Sequence, residues 1–157
     1  MQEPLPALVD LFLGTFPKES PVVLPDEILE GSTPRLRTFF LQTVAFPESP
    51  KFVLHATHIV SLFLNKILDF WYTSVSPEAM ATWLAALPKL ENLYIKFRSP
   101  LPNLLRTTLP ARMHSVLPAL TLFEFKGVSE YLEGLIARID PPPPRQASYS
   151  VLHGAHF

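Results

Sequence analysis

The feature that most constrains this chain is a spacing. Apolar residues recur in the order L-x-x-L-x-L-x-x-φ, where φ is any apolar residue. The pattern reads Leu8, Leu11, Leu13, Phe16, then Leu36, Phe39, Leu41, Val44, then Ile59, Leu62, Leu64, Ile67. It returns at Leu90, Leu93, Ile95, where Arg98 takes the ninth place, and at Leu120, Phe123, Phe125, Val128. The starts are 28, 23, 31 and 30 residues apart. One such run arises by chance in an apolar chain; five in series mark an internal repeat. Side chains two apart share one side of a strand. Each copy therefore offers one apolar strand face, which is buried only when the next copy is laid against it.

The connections carry helix signals. Ser76-Pro77-Glu78 supplies an N-cap, a proline at the first helical position and an acid in the first turn. Met80, Trp83, Leu84 and Leu87 then share a face, so residues 77–87 are expected to be helical. Ser129 opens a second helix through Leu132, Leu135, Ile136 and Ile139, which Asp140 ends because a proline follows it. Pro25 to Leu29, Pro50 to Ala56 and Ala111 to Leu117 are weaker helical stretches. Strand alternating with helix at a period of about 28 residues lies close to the leucine-rich-repeat range. The expected fold is α/β: a short, irregular leucine-rich-repeat solenoid with a parallel sheet on its concave face and helices on its convex face. About five repeats fill residues 1–140, and residues 141–157 form a proline-rich tail expected to be disordered. The ninth position is not asparagine in any copy, so no asparagine ladder closes the turns.

Composition narrows the function. Hydrophobic residues make up 48% and charged residues 17%, with a mean hydropathy of +0.22. Thirteen Lys and Arg against 14 Asp and Glu give a net charge of -1, with no basic stripe to favour nucleic acid. With no cysteine there is no disulfide framework, thiol nucleophile or thiolate zinc site, which fits a reducing, intracellular location in cytoplasm or nucleus. The longest apolar stretch, Ile59 to Tyr72, is interrupted by Asn65, Lys66 and Asp69, so no membrane span is expected. Glu3 and Asp10 argue against a signal peptide. No nucleophile elbow, phosphate loop or zinc-protease motif occurs, and an enzyme or cofactor is not expected.

Several runs carry a family likeness. Pro34-Arg35-Leu36-Arg37-Thr38, His55-Ala56-Thr57-His58-Ile59-Val60, Ser76-Pro77-Glu78-Ala79-Met80-Ala81, Leu87-Pro88-Lys89-Leu90-Glu91 and Gly127-Val128-Ser129-Glu130-Tyr131-Leu132-Glu133 resemble fungal F-box and leucine-rich-repeat proteins of mushroom-forming basidiomycetes. The resemblance covers roughly residues 5 to 140 and concerns the repeat region, without the F-box. It implies repeats that recruit target proteins to a ubiquitin ligase. The alternative is a fragment that has no independent function or competes with full-length relatives.

The expected binding surface follows from the strand period. The central outward position of the five copies reads Phe12, Phe40, Phe63, Tyr94 and Glu124. Asp10, Thr38, Ser61, Asn92 and Leu122 flank it on one side; Gly14, Gln42, Asn65, Lys96 and Lys126 flank it on the other. Aromatic anchors with a polar rim suit a protein partner, although the rings can equally stack to stabilise a small sheet. His55 and His58, like His153 and His156, lack a third ligand at a useful spacing and read as solvated or capping residues. Ser20, Thr33, Ser49, Ser76 and Ser99 each precede proline and read as turn and cap residues before phosphorylation sites. Pro141 to Pro144 reads as a helix stop before a polyproline ligand. Because solenoid ends need polar caps, the first strand and last helix are expected to expose apolar surface and to favour self-association.

Overall fold

A computed structural model describes residues 8–14, 22–23, 35–45, 56–67, 76–97, 115–127, 129–140 and 146–151. In chain order the elements are β1 (Asp10–Gly14), β2 (Val22–Val23), β3 (Thr38–Gln42), β4 (Val44–Ala45), β5 (Ser61–Ile67), α1 (Pro77–Ala85) and β6 (Asn92–Phe97). They continue with β7 (Ser115–Val116), β8 (Leu122–Gly127), α2 (Ser129–Ile136), β9 (Ile139–Asp140) and β10 (Gln146–Val151). The architecture is α/β. Its main sheet has the order β1-β3-β5-β6-β8-β10, and each of these strands is parallel to its neighbours.

All five template sites became strands of this sheet, each beside its predecessor. The alternation is strict. Phe39, Leu41, Leu62, Leu64, Leu93, Ile95, Phe123 and Phe125 are buried, while the residues between them are half-buried or exposed. The first template residues, Leu36, Ile59, Leu90 and Leu120, are buried too. The start of each strand also repeats in its backbone. Val9 O accepts from both Arg37 N and Thr38 N, Arg37 O from Val60 N and Ser61 N, Val60 O from Glu91 N and Asn92 N, and Glu91 O from Thr121 N and Leu122 N. Just before this point three tight turns recur. Ile59 N donates to Ala56 O, Leu90 N to Leu87 O and Leu120 N to Leu117 O, each at 3.1–3.2 Å. Pro88 and Pro118 take the second place in two of them, where a φ fixed near −65° suits the turn.

Both helices pack on the face that carries the template residues. Met80, Trp83 and Leu84 of α1 line, together with Phe39, Leu41, Leu62 and Leu64, a cavity of about 20 Å³ whose walls are wholly apolar. A space of that size is no larger than one water, and apolar walls leave it dry. In α2, Tyr131 is fully buried, its ring 4.7 Å from Phe97 and 6.2 Å from Phe125. Arg138, in the turn just after α2, forms an ion pair at 2.8 Å with Glu78 of α1.

Four expectations change. The helix expected over residues 130–140 stops at Ile136, and Ile139–Asp140 instead form β9, parallel to β7. Ile139 is buried in that position, so a tertiary ladder overrides the helical spacing. Ser115–Val116, expected at the end of a helix from Ala111, are strand β7; residues 111–114 lie outside the described residues. The helix from Pro77 ends at Ala85, and Leu87 sits in the turn after it. Residues 146–151, expected in a disordered tail, form β10, with Ala147 and Tyr149 paired in register to Phe123 and Phe125. The proline tract precedes this strand and so removes no donor from its ladder. Pro25 to Leu29 lies outside the described residues, as does Pro50 to Ala56 except Ala56 itself, which opens a turn.

Small ladders join successive units at two further places. The strands β2 and β4, which follow β1 and β3, pair with one another, as do β7 and β9, which precede β8 and β10. Between β3 and β4 the chain passes through Thr43, whose φ of 56° is left-handed. This single reversal separates the last residue of the main sheet from the first of the smaller one. No described helix is long and apolar enough to cross a membrane.

Candidate interaction surface

The face of the main sheet opposite the helices carries three rows of side chains. Register places Phe12, Phe40, Phe63, Tyr94 and Glu124 in one line across β1, β3, β5, β6 and β8. All five residues expected in the surface are thus brought together. Their exposure differs. Phe12 on the outer strand is 63% exposed, Phe40, Phe63 and Tyr94 are half-buried, and Glu124 is exposed.

The four rings stack on one another. Phe12 and Phe40 have centroids 4.6 Å apart and planes 16° from parallel; for Phe63 and Tyr94 the values are 4.4 Å and 8°. The middle junction, Phe40 to Phe63, is looser at 5.5 Å and 27°. Rings lying flat and side by side could not approach so closely, so their faces are turned to each other. They stand on edge and cover one another's faces. Such stacking matches the strand spacing of about 4.8 Å, and each pair contributes about 0.5–1.5 kcal/mol beyond its burial. Part of what these residues do is therefore to hold the strands in register.

The flanking rows complete the surface. On one side Asn92 Nδ2 donates to Ser61 Oγ at 3.0 Å, tying β6 to β5. On the other side Gly14, Gln42, Asn65, Lys96 and Lys126 continue from strand to strand. A groove of about 410 Å³ runs along this side, with Phe40, Phe63, Tyr94 and Glu124 on one wall and Asn65, Lys96 and Lys126 on the other. Sequence reading put Lys96 and Lys126 at the margin as rim residues. They line the groove itself, because they occupy matching register positions on adjacent strands.

Other residues singled out by sequence fall elsewhere. Ser76 is the N-cap of α1, its hydroxyl accepting from Ala79 N at 3.1 Å. His58 is exposed and its Nδ1 lies 3.4 Å from Lys89 Nζ. His55, His153, His156, Ser20, Thr33, Ser49, Ser99 and Pro141 to Pro144 lie outside the described residues. Among the described residues no group of three His, Cys, Asp or Glu is placed to hold a metal ion.

Comparison with known proteins gives this chain no relative: no family model, no curated protein and no solved structure matches it.

Proposed function

We propose that this chain is a protein-interaction module of the leucine-rich-repeat type, and that it binds its partner on the open face of the main sheet. The observation that carries the reading is the row of four aromatic rings in register, bordered by a groove with charged walls. Apolar surface left on one side of a sheet, rimmed by polar residues, is the usual form of a docking site. The repeated strand starts and turns support the solenoid part of the reading. The finer role, target recruitment to a ubiquitin ligase in the manner of F-box proteins, rests on the resemblance of the repeat sequences.

The test is affinity purification with the wild-type chain and with a Phe40→Ala, Phe63→Ala, Tyr94→Ala variant shown to be folded by circular dichroism. Hot-spot residues cost about 2 kcal/mol or more each on truncation, so the triple variant loses its partner. A partner retained equally by both chains confines the rings to their structural role. Co-purification of a ubiquitin-ligase adaptor with the wild type supports recruitment; a partner set without one removes it.

A further inference from the structure

The two lysines of the groove indicate the chemistry of what it accepts. Lys96 and Lys126 are direct partners in the β6–β8 register, one exposed and one half-buried. Like charges set opposite one another across strands repel. Among the described residues neither lysine forms an ion pair, the one ion pair being that of Arg138 with Glu78. Glu124 lies in the same groove, so its described walls carry two positive charges and one negative.

The stacked rings add to the same field. An aromatic ring is negative on its faces and positive at its edge. At Phe40 and Phe63 both faces are covered by neighbouring rings, so these two present their edges outward. Ligands that need an open ring face, such as a cation or a flat base, find that face occupied at Phe40 and Phe63. Oxygen atoms bearing negative charge find positive ring edges and two ammonium groups side by side.

We propose that the groove accepts a single carboxylate from an extended acidic peptide, seated between Lys96 and Lys126. An apolar side chain next to that carboxylate rests along Phe63 and Tyr94. This deepens the reading of the open face as a docking surface and rests on it. One carboxylate suits the site better than a doubly charged phosphate, because Glu124 leaves a net single positive charge in the described walls. Strands about 4.8 Å apart put the two ammonium groups within reach of the two oxygens of one carboxylate.

The probes are three labelled, capped peptides: one alternating leucine with glutamate, one with glutamine in place of glutamate, and one with lysine. Their binding to the full chain is followed by fluorescence anisotropy at low and high salt. The glutamate peptide is expected to bind at least about tenfold more tightly than its glutamine twin, as hydrogen bonds to charged groups imply, and to weaken with salt. In Lys96→Met with Lys126→Met, which keeps the aliphatic stems, that preference disappears. In Lys96→Glu with Lys126→Glu it shifts to the lysine peptide. Equal binding of the glutamate and glutamine peptides, tighter binding of the lysine peptide by the wild type, or no binding of the glutamate peptide overturns the proposal. If that happens while the aromatic-dependent partner is still captured, only the charge assignment fails and the docking surface stands.

Discussion

Phe97, Phe125 and Tyr131 meet edge to face and face to face around one point of the core, and Gly127 sits against them. A Cβ at Gly127 would lie 2.7 Å from Phe125 Cζ and 2.8 Å from Phe97 Cδ2, well inside contact distance. Neither ring is free to move, because the buried Tyr131 ring stands 4.7 Å from one and 6.2 Å from the other. Gly127→Ala is therefore expected to cost about 1–3 kcal/mol, the usual range for overpacking. A shift of the urea midpoint to lower concentration checks it; an unchanged midpoint would show that the rings yield. The sequence marks Gly127 as one of only five glycines but gives no reason for it. The reason is a close approach between β6, β8 and α2, and no local pattern encodes it. The aromatic row differs in this respect. Phe12, Phe40, Phe63 and Tyr94 occupy the same place in successive copies, so a period of two was enough to line them up. Their standing on edge was not legible, because it depends on side-chain rotation.

Helix α1 begins where its residue types require. Ser76 is extended, with φ −64° and ψ 154°, and its hydroxyl satisfies Ala79 N while Pro77 takes a place that needs no donor. Ser76→Ala removes that acceptor and is expected to cost about 1 kcal/mol, read as a lower denaturant midpoint with an unchanged slope. Glu78→Gln is expected to cost less than about 1 kcal/mol, since its carboxylate is 49% exposed and solvent screens its pair with Arg138. A larger loss from Glu78→Gln than from Ser76→Ala would give the Arg138–Glu78 pair a weight that its exposure does not support. At this scale the sequence was readable wherever leucine-like residues filled the template. The sixth strand escaped because the first three template offsets hold Pro144, Ala147 and Tyr149, a proline and a small residue where the pattern asks for leucine, and only the last, Leu152, fits. The two-residue strands β2, β4, β7 and β9 escaped for a different reason. Each is defined by a partner distant in the chain and is too short to carry a period of its own.

Every strand of the main sheet pairs only with the strands beside it in the order β1-β3-β5-β6-β8-β10, and in the proposed solenoid the molecule is a row of such units. In such a row stability is carried by each unit and by its contact with the next, and damage stays near its source. Leu41 is a suitable place to test this. It is 2% exposed and shares the small cavity under α1 with Phe39, Leu62, Leu64 and Leu84. Leu41→Ala enlarges a space that is already poorly filled, and such truncations cost about 2–5 kcal/mol. Hydrogen exchange followed along the chain should show lost protection in β3, in its ladder neighbours β1 and β5, and in α1. Protection in β8 and β10, three and four places further along the sheet, should stay near the wild-type level. The comparison must be made under native conditions, where partial openings are seen separately from global unfolding. An equal loss of protection in β3 and β10 would mean that the units open as one. In that case the parallel sheet belongs to a single cooperative domain, and the description as a repeat array would not survive.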